Sequence, residues 1–240
     1  LLTVFVFIPL IKYNDAKTAL QEGRYDEAIA AFAELGDYQD SADLLLEARY
    51  GEAVTVLEKG LYDKAMELLS ALGDYRDCAD LLLEARYGEA VTVLEKGLYD
   101  KAMELLSALG DYRDCPQLYR KARYQWGLAL VDAGEYREAM AQFTQDIDYE
   151  GARDGVRKVY ELAAQQGMTA VAFDAAAALR DFKAINQLNL QVISAGRNHL
   201  VALRRDGTVV AAGRNDEGQC NVQDWTDIVA VAAGYNYTVG

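Results

Sequence analysis

Apolar residues recur along most of the chain at the three- and four-residue spacing of helices with one buried face. Between about Ser41 and Lys59, the residues Tyr50, Ala53, Val54 and Leu57 fall on one side. Gly60 follows, and a second stripe of Ala65, Leu68, Leu69 and Leu72 runs from about Tyr62 to Leu72 before Gly73. Glycine takes the left-handed backbone of a helix terminus without steric cost. The pattern predicts a long helix, a turn, a short helix and a second turn, with Asp77 placed to cap the next helix. Near Gln191 the spacing changes to short β-branched runs, Gln191–Ser194, His199–Leu203, Thr208–Ala212 and Ile228–Ala232, with Asp206-Gly207 as a tight hairpin turn.

The helical pattern is a repeat. Residues 42–78 and 79–115 are identical at all 37 positions. Gly-Arg-Tyr-Asp-Glu-Ala at 23–28 returns as Gly-Leu-Tyr-Asp-Lys-Ala at 60–65 and 97–102, then as Gly-Glu-Tyr-Arg-Glu-Ala at 134–139; a weaker copy starts near Gly167. The turn Gly-Asp-Tyr-x-Asp at 36–40 recurs at 73–77 and 110–114. Twelve of the 16 tyrosines form three ladders of period 37: Tyr13, Tyr50, Tyr87, Tyr124; Tyr25, Tyr62, Tyr99, Tyr136; and Tyr38, Tyr75, Tyr112, Tyr149. The latter two sit where helices begin or turn and read as packing residues. The first lies inside the long helix, where both packing and binding fit. One helix pair cannot bury its own apolar faces, whereas stacked pairs can, so the period predicts a solenoid.

Charge narrows the choice of partner. The net charge is −14, of which residues 1–190 carry −13 and residues 191–240 carry −1. Such a surface repels phosphate backbones, so nucleic acid is not an expected partner, while basic proteins or peptides are. Three cysteines without a CxxC pair imply no disulfide framework, and Cys78 and Cys115, at equivalent repeat positions, read as small packing residues.

The Gly-x-Tyr-x-x-Ala start of the short helix resembles the tetratricopeptide (TPR) repeat. So do the large residue four places on (Phe32, Leu69, Leu106, Phe143) and the small residue seven before the glycine (Ala16, Ala53, Ala90, Gly127). The period is 37 rather than the family's usual 34, and Gly-Asp-Tyr-x-Asp stands where the family often has proline. The resemblance implies a mainly α protein: a right-handed α-solenoid of about five TPR-like pairs over residues 13–190. It also implies a concave groove, lined by the first helix of each pair, that holds peptides. Carried onto this sequence, the groove would show Glu47, Tyr50, Val54, Leu57 and Glu58; then Glu84, Tyr87, Val91, Leu94 and Glu95; then Lys121, Tyr124, Leu128, Val131 and Asp132. Aromatic faces alternating with carboxylates suit an extended peptide carrying Lys or Arg. The same face also reads as a solvated acidic surface kept for solubility.

At the other end, Ala-Gly-Arg-Asn-His-Leu-Val-Ala-Leu at 195–203, Asp-Gly-Thr-Val at 206–209 and Gly-Arg-Asn-Asp-Glu-Gly-Gln at 213–219 resemble the bacterial form of the regulator-of-chromosome-condensation repeat. The motif starts again at 233–240, with 38 residues from Gly196 to Gly234. Residues 191–240 are thus expected to form an all-β segment, an incomplete β-propeller blade and the edge of a second. Propellers close with about 4–8 blades, so further blades and exposed apolar strand edges are expected.

Chemistry is sparse. His199 is the single histidine, which excludes the two- and three-histidine metal motifs. Ser194 lies five residues away, a spacing that does not set nucleophile beside base in alternating strands. No P-loop or dinucleotide glycine pattern is present, and the most distinctive sequence is duplicated, whereas catalytic sites are unique constellations. No catalytic residue, metal site or cofactor is expected, and the chain reads as a non-catalytic protein–protein interaction scaffold. Ligand recognition (a surface glycan, for example) by a complete propeller and regulation of nucleotide exchange are the alternatives.

Residues 1–12 open with an apolar run broken only by Thr3 before Lys12. Eleven helical residues span about 16 Å, roughly half a hydrocarbon core. The run reads as the remnant of a transmembrane helix, giving a single-pass, membrane-anchored protein; a signal-peptide core without a small-residue cleavage site and an N-terminal helix turn packed on the first repeat are the alternatives. The resemblance to bacterial proteins of this layout implies an extracytoplasmic solenoid.

Overall fold

The structure is a computed structural model and describes residues 2–181, 184–185, 188 and 190–240. Among them, ten helices in tandem precede five short strands. The helices are α1 (Leu2–Gln21), α2 (Tyr25–Leu35), α3 (Ser41–Glu58), α4 (Tyr62–Leu72), α5 (Cys78–Glu95), α6 (Tyr99–Leu109), α7 (Cys115–Ala133), α8 (Tyr136–Gln145), α9 (Ala152–Gln165) and α10 (Thr169–Leu179). The strands are β1 (Leu190–Ala195), β2 (His199–Arg204), β3 (Val209–Gly213), β4 (Ala232–Ala233) and β5 (Thr238–Val239). Long and short helices alternate as the periodicity predicts, in the TPR-like manner. The chain divides into two compact units, Leu1–Pro116 and Gln117–Gly240.

In the first unit each helix from α1 to α6 packs on the one before it. Ala28 and Phe32 of α2 cluster with Ala48 of α3, and Leu69 of α4 with Ala53 of α3; Ala65, Ala102 and Leu106 of the short helices and Ala85 and Ala90 of the long ones are likewise buried. Alanine on the long helix lets the shorter helix approach closely, and the large residue fills what remains. Gly60 and Gly97 end α3 and α5 with φ of +71° and +74°. Ser41, Cys78 and Cys115 begin α3, α5 and α7 in fully buried niches, and the two thiols are raised above the usual cysteine range, first by burial. That places both cysteines as small packing residues.

Close packing is also visible at Gly51 and Gly88. A Cβ added at either would stand 2.3 Å from the ring of Tyr25 or Tyr62. The second tyrosine ladder thus lies across bare backbone of the next long helix. Gly88→Ala is expected to destabilise by about 1 kcal/mol, overpacking of roughly 1–3 kcal/mol exceeding a helix-propensity gain of up to about 1. Urea denaturation checks this, and in a Tyr62→Ala background the sign should reverse, because the ring is gone.

The apolar N-terminal run does not form a separate membrane segment. It is continuous with the first long helix, in which Tyr13, Ala16 and Ala19 are buried and Lys12, Asn14, Asp15 and Lys17 alternate with them. No helix of the described residues is long and apolar enough to cross a membrane, since the apolar stretch gives way to these polar residues after Ile11. The single-pass anchor expected from residues 1–12 is overturned, and the extracytoplasmic placement goes with it.

In the second unit Phe143 of α8 is almost fully buried, gripped between Gly127 of α7 and Gly155 of α9. A Cβ at either glycine would come within 2.5 Å of its ring. The strands β1, β2 and β3 form an antiparallel meander, and β4 pairs with β5. Alternate residues of the meander face opposite ways. Val201, Leu203 and Val209 pack with Val222, Val231, Trp225 and Ile228, whereas Ala202, Val210 and Ala212 pack with Phe173 and Ala176 of α10. The sheet therefore buries both faces, one on its own trailing loop and one on a helix. Val192 and Ile193 of the edge strand β1 remain exposed. The two hairpins repeat each other: Gly196 N–H donates to the His199 carbonyl at 2.8 Å, and Gly234 N–H to that of Tyr237 at 2.8 Å.

Candidate functional site

Two clefts open along the long helices of the first unit. One, of about 560 Å³, is lined by Lys17, Tyr25, Glu47, Tyr50, Val54 and Glu58, among others. The next, of about 600 Å³, is lined by Val54, Leu57, Glu58, Glu84, Tyr87, Val91 and Glu95. Val54 and Glu58 border both, so the two are contiguous. Of the ten groove positions carried onto α3 and α5, nine line these clefts. Leu94 does not, because its side chain is buried and offers no surface.

The three positions on α7 differ. Lys121 is exposed. Tyr124 packs on Phe143 and Tyr149, with ring centroids 5.9 and 5.5 Å away, and Leu128 packs into the core around Met140 and Phe143. Of the two that follow, Val131 is buried and Asp132 pairs with Lys158 at 3.1 Å.

The first tyrosine ladder turns out to be structural as well as groove-lining. Tyr50 O–H donates to Asp77 at 2.6 Å, and Tyr87 O–H to Asp114 at 2.7 Å; Tyr13 O–H donates to Asp40. The phenol pKa of Tyr50 and Tyr87 is raised, chiefly because these bonds to a carboxylate favour the protonated form. Asp77 therefore makes no side-chain cap bond to α5, contrary to the capping role expected of it. Its carboxylate is taken by the tyrosine. The same tyrosines stack edge-on against the turn tyrosines, Tyr50 on Tyr75 and Tyr87 on Tyr112, with centroids 5.9 and 6.0 Å apart.

The variable residue of the Gly-Asp-Tyr-x-Asp turn escaped the sequence reading. Arg76 and Arg113 adopt a left-handed backbone, φ +49°, that arginine rarely takes. The guanidinium of Arg76 lies 4.9 Å from the Tyr50 ring centre and 5.1 Å from that of Tyr75, and pairs with Glu47 at 3.4 Å. Arg113 repeats this on Tyr87, Tyr112 and Glu84. Each cleft already holds a cation over its aromatic face, so Glu47 and Glu84 are neutralised from within. Glu58 and Glu95 are exposed and have no ion-pair partner among the described residues. The clue in the sequence was the recurrence of Arg between two ladder members.

Tyr50→Phe is expected to lower stability by about 1 kcal/mol, the loss of one hydrogen bond to a charged acceptor at an exposed site. Tyr87→Phe should add to it almost fully, as the two share no partner. Because the folded phenol pKa is raised, this contribution is present below pH about 10 and fades as pH rises through the folded value. Denaturation of the double variant at pH 7 and at alkaline pH tests both statements.

In the β segment His199 is buried, with Nε2 3.0 Å from Thr238 Oγ1. Thr238 Oγ1 donates to the Gln219 carbonyl at 2.7 Å, so Nε2 must carry the proton and donate to Thr238. Ser194 Oγ accepts from Ala233 N–H at 2.8 Å. Serine and histidine each tie the first hairpin to the second and do not meet as nucleophile and base.

Residues 192–219 match the family model described as the Regulator of chromosome condensation (RCC1) repeat. Comparison with curated proteins finds no match. Among solved structures, the chain is similar to MamA AMB-1, at 21% identity over 75% of this chain and 97% of that one, with a TM-score of 0.25. It is similar also to MamA MSR-1, at 19% identity over 75% and 95%, with a TM-score of 0.26.

Proposed function

We propose that the helical repeats form a non-catalytic docking surface for an extended, basic segment of a partner protein. The observation that carries this reading is the continuity of the two clefts through Val54 and Glu58, with the same side chains presented 37 residues apart. A ladder of equivalent subsites suits an extended ligand, which meets the same chemistry at each step. Tyrosine, valine and leucine supply apolar contact. Glu58 and Glu95 supply charge that no residue described around them neutralises. Arg76 and Arg113 hold the aromatic rings rigid, so little ordering is left for binding to impose.

The reading is tested with the full chain and labelled decapeptides, measured by fluorescence anisotropy. Peptides with interspersed Lys or Arg should bind more tightly than their Glu-substituted counterparts, and binding should weaken with salt. Glu58→Lys with Glu95→Lys should weaken binding by tenfold or more, as loss of two charge-assisted contacts of about 1 kcal/mol each implies. Indifference to peptide charge and to both substitutions would leave the face as a solvated acidic surface.

A further inference from the structure

The second unit holds a different kind of cavity. It has a volume of about 780 Å³ and lies between α8, α10 and the first hairpin of the sheet. Three arginines line it from three places: Arg137 at the start of α8, Arg180 at the end of α10, and Arg197 in the turn between β1 and β2. None of the three has an ion-pair partner among the described residues. Asp174 is the single acid in the lining. Met140, Ala177 and Leu200 give the cavity an apolar wall.

Arg180 ends α10 in the left-handed backbone common at helix C-termini, φ +56°, which leaves it at the rim of the cavity. Arg197 is steadied by Tyr235, whose ring centre lies 4.6 Å from the guanidinium, leaving the planar fork of donors ordered. Three arginines at one cavity beside an apolar wall suit an oxyanion carried on an apolar body. The second unit carries 13 basic and 15 acidic residues, and its cavity gathers three of those bases against one of the acids.

We propose that this cavity is a binding site for a small organic anion, a carboxylate, sulfonate or phosphate attached to an apolar group, held by Arg137, Arg180 and Arg197. Asp174 then acts as its modulator. Burial pushes the Asp174 carboxyl up to about 6, against the opposing pull of Arg137. The groups that share its surroundings are Arg137 on α8, Arg180 on its own helix, Arg197 and His199 on the hairpin, and the Cys220 thiol beyond β3. The thiol is raised, chiefly by burial, and stays neutral at physiological pH. As pH falls through about 6, Asp174 takes up a proton and one negative charge leaves the cavity. Anion binding should therefore tighten on mild acidification.

The test is isothermal titration calorimetry of the full chain with benzenesulfonate, whose charge does not change in this range, and with sulfate as the anion alone. Benzenesulfonate should bind more tightly than sulfate, and more tightly at pH 5.5 than at pH 7.5. Arg137→Gln and Arg180→Gln should each weaken binding about tenfold, the expected loss for a hydrogen bond to a charged group. Asp174→Asn should tighten binding at pH 7.5 and remove its pH dependence. This last variant also guards against a folding artefact, because an uncharged side chain there should raise the melting temperature at neutral pH. No benzenesulfonate binding at millimolar concentration, or binding unchanged in the Arg137→Gln/Arg180→Gln double variant, overturns the proposal.

Discussion

Truncating Phe143 to alanine is expected to lower the unfolding free energy by about 3–5 kcal/mol, the range for a large aromatic removed from a sealed core. The site cannot collapse to fill the void, because the walls on two sides are the backbones of Gly127 and Gly155. The repeats themselves suggest a finer experiment. Where the fourth pair has Gly127 and Phe143, the duplicated pairs have Ala53 with Leu69 and Ala90 with Leu106. A methyl group on the long helix is traded against ring volume on the short one. Gly127→Ala alone should destabilise by about 1–2 kcal/mol through overpacking, and Phe143→Leu alone by about 1 kcal/mol. The double variant should be more stable than the sum of the two losses, with a coupling of roughly 1 kcal/mol. Urea denaturation of the four chains gives that coupling directly, and a value near zero would mean that the clasp is looser than the geometry states.

Removing residues 79–115 should leave a chain that still folds and unfolds cooperatively. Since Cys78 and Cys115 are equivalent, joining Cys78 to Pro116 restores the local sequence found in the intact chain. Every remaining helix meets a neighbour of unchanged sequence. The expected loss is one pair and one interface, about 2–5 kcal/mol at 0.05–0.15 kcal/mol per residue. Far-ultraviolet circular dichroism and urea denaturation measure this. Deleting only 79–96 is the contrast: α5 disappears, two short helices are forced together, and the chain should lose cooperative unfolding. If both deletions behaved alike, the repeats would not be nearest-neighbour modules. Loss of the second cleft with Glu84, Tyr87 and Glu95 should also weaken any ligand that spans both.

How far the sequence could be read differs between elements, for physical reasons. Helix limits were plain because glycine marks each end: α3 and α4 run to Glu58 and Leu72, within a residue of expectation. Nine of the ten positions that the tetratricopeptide resemblance placed on α3 and α5 line the two clefts, since helical periodicity sets Tyr50, Val54 and Glu58 on one face. Leu94 does not: it has the same sequence context as Leu57, which lines a cleft, and yet is buried. Identical sequence cannot distinguish two environments. The roles of Asp77 and Arg76 were also hidden: one is an expected cap that instead accepts from a tyrosine 27 positions back, and the other is an unremarked residue with positive φ. Both depend on a contact between one long helix and the turn before the next, which no local pattern encodes. The apolar N-terminus misled because hydrophobicity over ten residues does not reveal whether a helix continues into polar sequence. The cavity around Asp174 draws on α8, α10 and a hairpin, and no linear motif joins them.

The tyrosine-to-aspartate bonds reach from the long helix of one pair to the turn that opens the next pair. A unit so joined has no natural first residue. Cutting the repeat at Leu61 or at Asp74 would divide the Tyr50–Asp77 bond and cutting at Ala42 would divide none, but a full 37-residue window added or removed from any of these points leaves the same kind of bond in place. A genetic exchange between the two copies need not respect a domain border to yield a working product. The array can lengthen or shorten by unequal recombination at any codon within the duplicated stretch, and the phase of the repeat is a matter of bookkeeping to the protein.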